Sequence, residues 1–313
     1  MTNRTAQRKR QQAIGAKGSK GSNGSKGKQH GKRTASRSRY PVIAIGGVVA
    51  VVVVMVGLSA LLREPAPASP GSPSNGATEH VIAAATNVPT SALDAVGAGE
   101  GITPPVEIPA GTPPVTSDGK PQVLYIGAEY CPFCAAERWP LVVALSRFGT
   151  FSGLGLSTSS ASDVFPSTPT FTFHGSTYTS DLISFAGVET STNKPTASGV
   201  GYEPLDTPTV EQQQLMQTFN VPPYTSQAGS IPFLLIGNRF VVSGASLQPD
   251  VLQGKTWQQI ADALSDPTSP LAKQVLAAAN MLTASICELT VGEPSNVCTA
   301  PGVTSAAATL PSA

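Results

Sequence analysis

The sequence predicts an α/β domain, a central sheet flanked by helices and carrying an irregular insert, preceded by a single transmembrane helix. Three observations carry that expectation. Residues 40–62 are apolar and free of charge; "VLYIGA" at 123–128 is a strand-like run leading into a helical one; and "IPFLLIGNRFVVSG" at 231–244 reads as a hairpin with helical segments after it. The order is strand, helix, insert with a strand, helix, hairpin, helices, which suits a sheet with helices packed on it.

The elements follow from the N-terminus. Residues 1–39 hold 12 of the 20 Lys and Arg and no acid, whereas beyond Arg63 seven basic residues stand against all 19 acids. The net charge of +1 therefore averages a basic tail and an acidic body. The tail is a low-complexity Gly/Ser/Lys segment that cannot bury enough apolar surface to fold. Its lysines suit anionic lipid. It has no phosphate-loop motif and no interleaved aromatics, so no nucleic-acid partner is expected. The 23 residues 40–62 exceed the roughly 20 that a helix needs to cross the hydrocarbon layer. The basic flank puts the N-terminus in the cytosol, with Tyr40 as an interfacial anchor and Arg63 closing the far end. A cleaved signal peptide would have a shorter apolar core and a shorter leader. The expectation is a single-pass cell-membrane protein whose residues beyond 63 are extracytoplasmic.

Residues 63–115 read as a Pro/Gly/Ser-rich linker with a weak helical segment around "NVPTSALDAVGAG". The extracytoplasmic domain is expected at 116–299, with the insert at about 150–229 and a disordered tail at 300–313. Within it, Pro132 suits the first position of a helix, Pro140 predicts a kink near Trp139, and Gly149 is the expected stop. "TPTFTFHGSTYTS" suggests a strand, or a hairpin turning at His174–Gly175, and residues 210–219 a short helix. Gly237–Asn238 is the hairpin turn. Two helical segments follow, the first with Thr256 as its N-cap.

There are four cysteines, Cys131, Cys134, Cys287 and Cys298. A structural zinc site usually takes two close pairs. Here the second pair is ten residues apart and neither outer histidine, His80 or His174, is near a cysteine, so no metal or other cofactor is expected. Cys287 and Cys298 fit a structural disulfide of an exported protein, closing a short loop. A Cys131–Cys134 staple would restrict the unfolded chain least, and its place between strand and helix suits redox chemistry better. A sulfur at a helix start sits beside unpaired N–H groups and the positive end of the dipole, which stabilise a thiolate. Cys131 is then the nucleophile and Cys134, one turn further in, the resolving thiol. Pro132, Phe133, Tyr130 and Glu129 surround the pair and tune it. His174 is expected at a turn, and Trp139 and Trp257 in the core.

"YIGAEYCPFC" resembles the strand-to-active-site segment of the thioredoxin-like superfamily. The C-P-F-C form is closer to glutaredoxins and periplasmic disulfide oxidases than to thioredoxin's own C-G-P-C. Members place a cis-proline opposite the two sulfurs, just before a hairpin strand. "GSIPFLLIGNRF" matches that place, so the resemblance implies that Pro232 is the cis-proline and Ile231 the residue whose backbone pairs with substrate. It covers about 122–149 and 230–265 and implies a thioredoxin-like central sheet. The whole arrangement is similar to an uncharacterised domain-of-unknown-function family of membrane-anchored thioredoxin-fold proteins. One departure concerns the buried acid that thioredoxin carries five residues before its first active-site cysteine. That place falls at Ile126, or at Tyr125 in the alternative alignment, and Glu129 is the nearest carboxylate.

The expected activity is thiol–disulfide exchange on cysteines of exported proteins, reset by a separate redox partner. The oxidising compartment and the C-P-F-C form favour the oxidase or isomerase direction. The rival expectation is a non-catalytic envelope adaptor with its cysteine pair locked. An exposed Cys131 beside an apolar groove favours the enzyme, a buried one the adaptor.

Overall fold

The computed structural model describes residues 74–311. The basic tail and the apolar run at 40–62 lie outside the described residues, among which no helix is long and apolar enough to cross a membrane.

The centre is a mixed sheet. Strand β3 (Lys120–Gly127) lies in its middle, parallel to β8 (Ser184–Glu189) on one side and antiparallel to β11 (Phe233–Ile236) on the other. Then come β12 (Phe240–Ser243) and the short edge strand β1 (Val106–Glu107), both antiparallel to their neighbours. Strand β2 (Thr116–Ser117) forms a hairpin with the start of β3. Successive residues of a strand face opposite sides, and here both sides are apolar. Val123, Tyr125, Leu234, Ile236, Phe240 and Val242 face one core, and Leu124, Ile126, Phe233, Leu235 and Val241 the other. That is why these strands read as continuous apolar runs. The β11–β12 turn begins at Gly237, where φ is 55° and a Cβ would come within 2.2 Å of Leu289.

Helices cover both faces. On the first lie α3 (Pro132–Leu145), which runs through Pro140, and the 20-residue α6 (Pro270–Leu289) packed along it. Helix α4 (Val210–Phe219) sets Leu215, Met216 and Phe219 on the second core and begins with a Thr209–Gln212 capping box. Helix α5 (Trp257–Ala263) has the same device, with the expected Thr256 as N-cap and Gln259 as its reciprocal partner.

Three expectations are corrected. Residues 75–96 are not linker: α1 (Asn75–Thr86), which was not expected, and α2 (Thr90–Val96), which lies at the expected weak helical segment, pack on the domain with Val81, Ala85, Ala92 and Leu93 buried. Nor is the C-terminus a disordered tail throughout. After the short α7 (Ser295–Cys298), helix α8 (Pro301–Ala307) buries Val303 and Ala306. Finally, the insert is built rather than irregular. It supplies β8 to the central sheet and adds three two-stranded sheets, β4 (Thr150–Ser152) with β7 (Thr177–Thr179), β5 (Gly155–Thr158) with β6 (Pro169–Thr172), and β9 (Ser191–Pro195) with β10 (Tyr202–Pro204). The two halves of "TPTFTFHGSTYTS" flank the turn at His174–Gly175 but pair with β5 and β4, not with each other. Helix α3 ends at Leu145, ahead of Gly149.

The two late cysteines are joined. Cys287, at the end of α6, and Cys298, in α7, form a disulfide with Cα atoms 5.6 Å apart.

Candidate functional site

Strand β3 delivers the chain to the N-terminus of α3, where a helix leaves its first N–H groups without intrahelical partners. Cys131 is the N-cap residue, and its Sγ accepts the N–H of Cys134 at 3.2 Å. A sulfur thus stands where Ser, Thr or Asp usually does. Pro132 follows at the first helical position. Both cysteines are free, Cys134 fully buried and Cys131 5% exposed.

The environments separate the two thiols. Hydrogen bonding from Cys134, side chain and backbone, pulls the pKa of Cys131 down against the cost of its burial, and Arg138 adds to the pull. For Cys134 burial dominates, the neighbouring Cys131 sulfur works in the same direction, and its pKa is pushed well above the ordinary value although Arg138 opposes this. A thiolate is therefore favoured on the outer sulfur.

Facing the pair is the loop before β11. The Ile231–Pro232 peptide bond is cis, and the Ile231 carbonyl oxygen lies 4.0 Å from Cys131 Sγ. Asn220, at the end of α4, holds this loop by donating to the Ser230 carbonyl at 2.9 Å.

Cys131 is little exposed, and the insert packs on the residues around it. The Ser160 N–H donates to the Tyr130 carbonyl at 2.8 Å, and the Tyr202 hydroxyl donates to Ser160 Oγ at 2.8 Å. The rings of Tyr130 and Tyr202 stack at 4.1 Å and 5°. Phe165 sets its ring edge-to-face on Phe133, which is 40% exposed. Glu129 is tied by its backbone, whose N–H donates to the Ser191 carbonyl at 2.9 Å. Tyr130, Phe133 and Glu129 are therefore contact points for the insert as well as neighbours of the cysteines.

Two carboxylates are buried at α3, Glu137 on the helix itself and Glu189 against it, and the sequence reading missed both. Glu189, the last residue of β8, is wholly buried and paired with the equally buried Arg138 of α3. Burial is the largest single influence on Arg138 and opposes its charge, but the Glu189 carboxylate, Tyr125 and Cys134 together outweigh it and the guanidinium stays firmly charged. Glu137 is also fully buried, accepting the Ser246 N–H at 2.6 Å and its hydroxyl at 2.9 Å; burial raises its pKa to about 7. A signal was present for two of these residues. "CAAERWPLVVAL" is apolar all round apart from Glu137 and Arg138, and a helix with no polar face is buried, so both charges had to find partners.

The remaining candidates lie elsewhere. Trp139 and Trp257 are core residues whose indole N–H groups donate to the carbonyls of Pro169 and Thr170, each at 2.9 Å. His174 sits at its turn and pairs with Asp206 at 2.7 Å. Among the described residues no cluster of His, Cys, Asp and Glu could hold a metal ion.

What the geometry defines is an α/β domain with a free thiol pair at a helix N-terminus, opposite a cis peptide, with its insert packed on the residues beside the pair. Residues 110–288 match the family described as a domain of unknown function (DUF929), and the chain belongs to that family. Comparison with curated proteins and with solved structures found no match.

Proposed function

We propose that this domain has a thioredoxin-like fold and acts as a thiol–disulfide oxidoreductase on exported proteins, held at the outer face of the cell membrane by residues 40–62. The observation that carries the reading is Cys131 itself, an unpaired sulfur that caps α3 and stands opposite the cis Ile231–Pro232 peptide. The strand order β8-β3-β11-β12, with the first pair parallel and the others antiparallel, supports the fold assignment. The oxidase direction expected from the sequence runs the following steps in reverse; in the reducing direction, the Cys131 thiolate attacks a substrate disulfide and forms a mixed disulfide, releasing one substrate thiol. Cys134 then attacks Cys131 Sγ and releases the second. Ile231, with its backbone beside the sulfur, pairs with the substrate chain, and Pro232 shapes that loop. Pro132 and Phe133, between the cysteines, tune the thiolate. A substrate reaches Cys131 once the contacts among Tyr130, Ser160 and Tyr202 open.

One observation favours a second reading. Cys131 is only 5% exposed, which suits an envelope adaptor whose insert binds a partner and whose cysteines do no exchange.

A redox titration of the full chain separates the two, with thiols trapped and located by mass spectrometry. The enzyme reading expects Cys131 and Cys134 to titrate together while Cys287 and Cys298 stay oxidised. A midpoint near roughly −120 mV marks a disulfide donor and one near roughly −270 mV a reductase. If Cys131 and Cys134 do not interconvert with a disulfide at any potential, the adaptor reading replaces it.

A further inference from the structure

Beneath the cysteine pair lies a buried charge to which the exchange described above gives no part. Arg138 is 0% exposed and stands four residues beyond Cys134 on α3. Side chains at that spacing leave the same helix face, with Cβ atoms about 5–6 Å apart. One edge of the guanidinium is fully engaged: Nε and Nη2 donate to Glu189 at 2.8 and 2.5 Å. Nη2 also donates to the Ala128 carbonyl at 2.8 Å. That same carbonyl accepts the N–H of Cys131 at 3.3 Å, so Arg138 is tied into the loop that presents the nucleophile.

The other edge is open. Nη1 has no hydrogen-bond partner, and neither has the hydroxyl of Tyr125, whose ring lies 5.7 Å from the guanidinium carbon. A buried donor left unpaired costs free energy, more when it is charged. The arrangement improves if an anion forms beside it, and the chemistry generates one on the neighbouring Cys134. Its fully buried sulfur meets a steep desolvation cost on ionising. Among the groups that act on it, Cys131 on the same helix disfavours the thiolate, while Arg138 and, less strongly, a backbone hydrogen bond from Ala128 favour it. Tyr125 on β3, Tyr130 in the loop and Glu189 on β8 supply no positive charge. Arginine is not deprotonated in proteins, so it acts here by charge and not by proton transfer.

Resting on the oxidoreductase reading, we propose that Arg138 is a positioning residue that holds the buried Cys134 sulfur as an anion for the resolving step. In that step the Cys134 thiolate forms a bond to Cys131 Sγ, and the bond between Cys131 and the substrate sulfur breaks. The substrate sulfur leaves with the electron pair and takes up a proton from solvent, balancing the one that Cys134 released. The cysteine pair is oxidised and the substrate disulfide reduced. Glu189 holds the guanidinium by Nε and Nη2, and Nη1 is left without a hydrogen-bond partner.

The test uses the reduced full chain in detergent micelles, with oxidised glutathione as the probe. The Cys131–glutathione adduct is followed by acid quenching and mass spectrometry across pH. In the wild type the adduct is transient. In Arg138→Met its decay at pH 7 is slowed at least tenfold and the midpoint of the rate–pH profile moves up, while Arg138→Lys recovers much of the rate. Glu189→Gln, which keeps the arginine and removes its counter-charge, moves the midpoint down. Identical profiles for the wild type and Arg138→Met overturn the proposal. So does an Arg138→Lys variant as slow as Arg138→Met, because the role is then one of shape. Should Arg138→Met fail to fold, an unshifted Glu189→Gln midpoint overturns it alone. If the wild type forms no adduct on Cys131, the oxidoreductase reading falls and takes this one with it; an adduct with an unmoved midpoint removes only the role given to Arg138.

Discussion

Glu137 makes stability depend on pH in the direction opposite to most carboxylates. Its side chain is fully buried and has no cation beside it, only the N–H and hydroxyl of Ser246. Burial raises its pKa from 4.5 to about 7. A folded-state pKa above the unfolded one means that the folded chain binds the proton more tightly. The stabilisation is thus complete below about pH 4.5 and is lost as pH rises through about 7. At about 1.36 kcal/mol per pH unit, the difference amounts to about 3 kcal/mol. Glu137→Gln keeps the size and a hydrogen-bonding head but does not titrate. Denaturant unfolding of both proteins at pH 4.5 and pH 8 isolates the effect as a difference between differences, which cancels every other titrating group. The wild type should lose about 3 kcal/mol more than Glu137→Gln over that interval. Parallel losses in the two proteins would show that folding does not raise the pKa of Glu137, and the reasoning from burial would be wrong.

Three further outcomes follow from packing. Tyr202→Ala removes the ring stacked on Tyr130 and the bond to Ser160, so alkylation of Cys131 by iodoacetamide should quicken by about tenfold or more; an unchanged rate means that the insert is not what covers the thiol. Replacing Cys287 and Cys298 together by serine opens a loop with a sequence separation of 11 and should cost about 3 kcal/mol in denaturant unfolding, a loss that reducing the wild-type disulfide reproduces. Gly302→Ala sets a Cβ 2.6 Å from the Leu93 carbonyl oxygen and 2.9 Å from Asn280 Nδ2, which should push α8 off α2 and cost about 1–3 kcal/mol. No change in its unfolding midpoint would mean that α8 does not pack there in solution.

Both cysteines are buried, and an ion pair between α3 and β8 is buried with them. Strand β3 carries no acid; Glu189 comes from the neighbouring parallel strand, and it holds an arginine below the helix.

The sequence by itself determined the parts governed by neighbours along the chain. Apolar runs bounded by turn residues marked β3 and the β11–β12 hairpin, and Thr256 three residues ahead of Gln259 marked the start of α5. A cysteine followed by proline at the end of a buried strand marked the helix-start thiol. Each rests on interactions a few residues long. Only the tertiary structure decided what depends on residues far apart. The strands either side of His174 find partners in β5 and β4, because cross-strand packing chooses between pairings that a local alternation leaves equal. Tyr202 meets Tyr130 across 72 positions and Glu189 meets Arg138 across 51. Helices α1 and α8 looked like linker and tail, and α2 like a weak helical segment, because short polar-flanked segments carry little helical signal of their own. They hold their shape by burying Val81, Leu93 and Val303 against a core that the rest of the chain supplies.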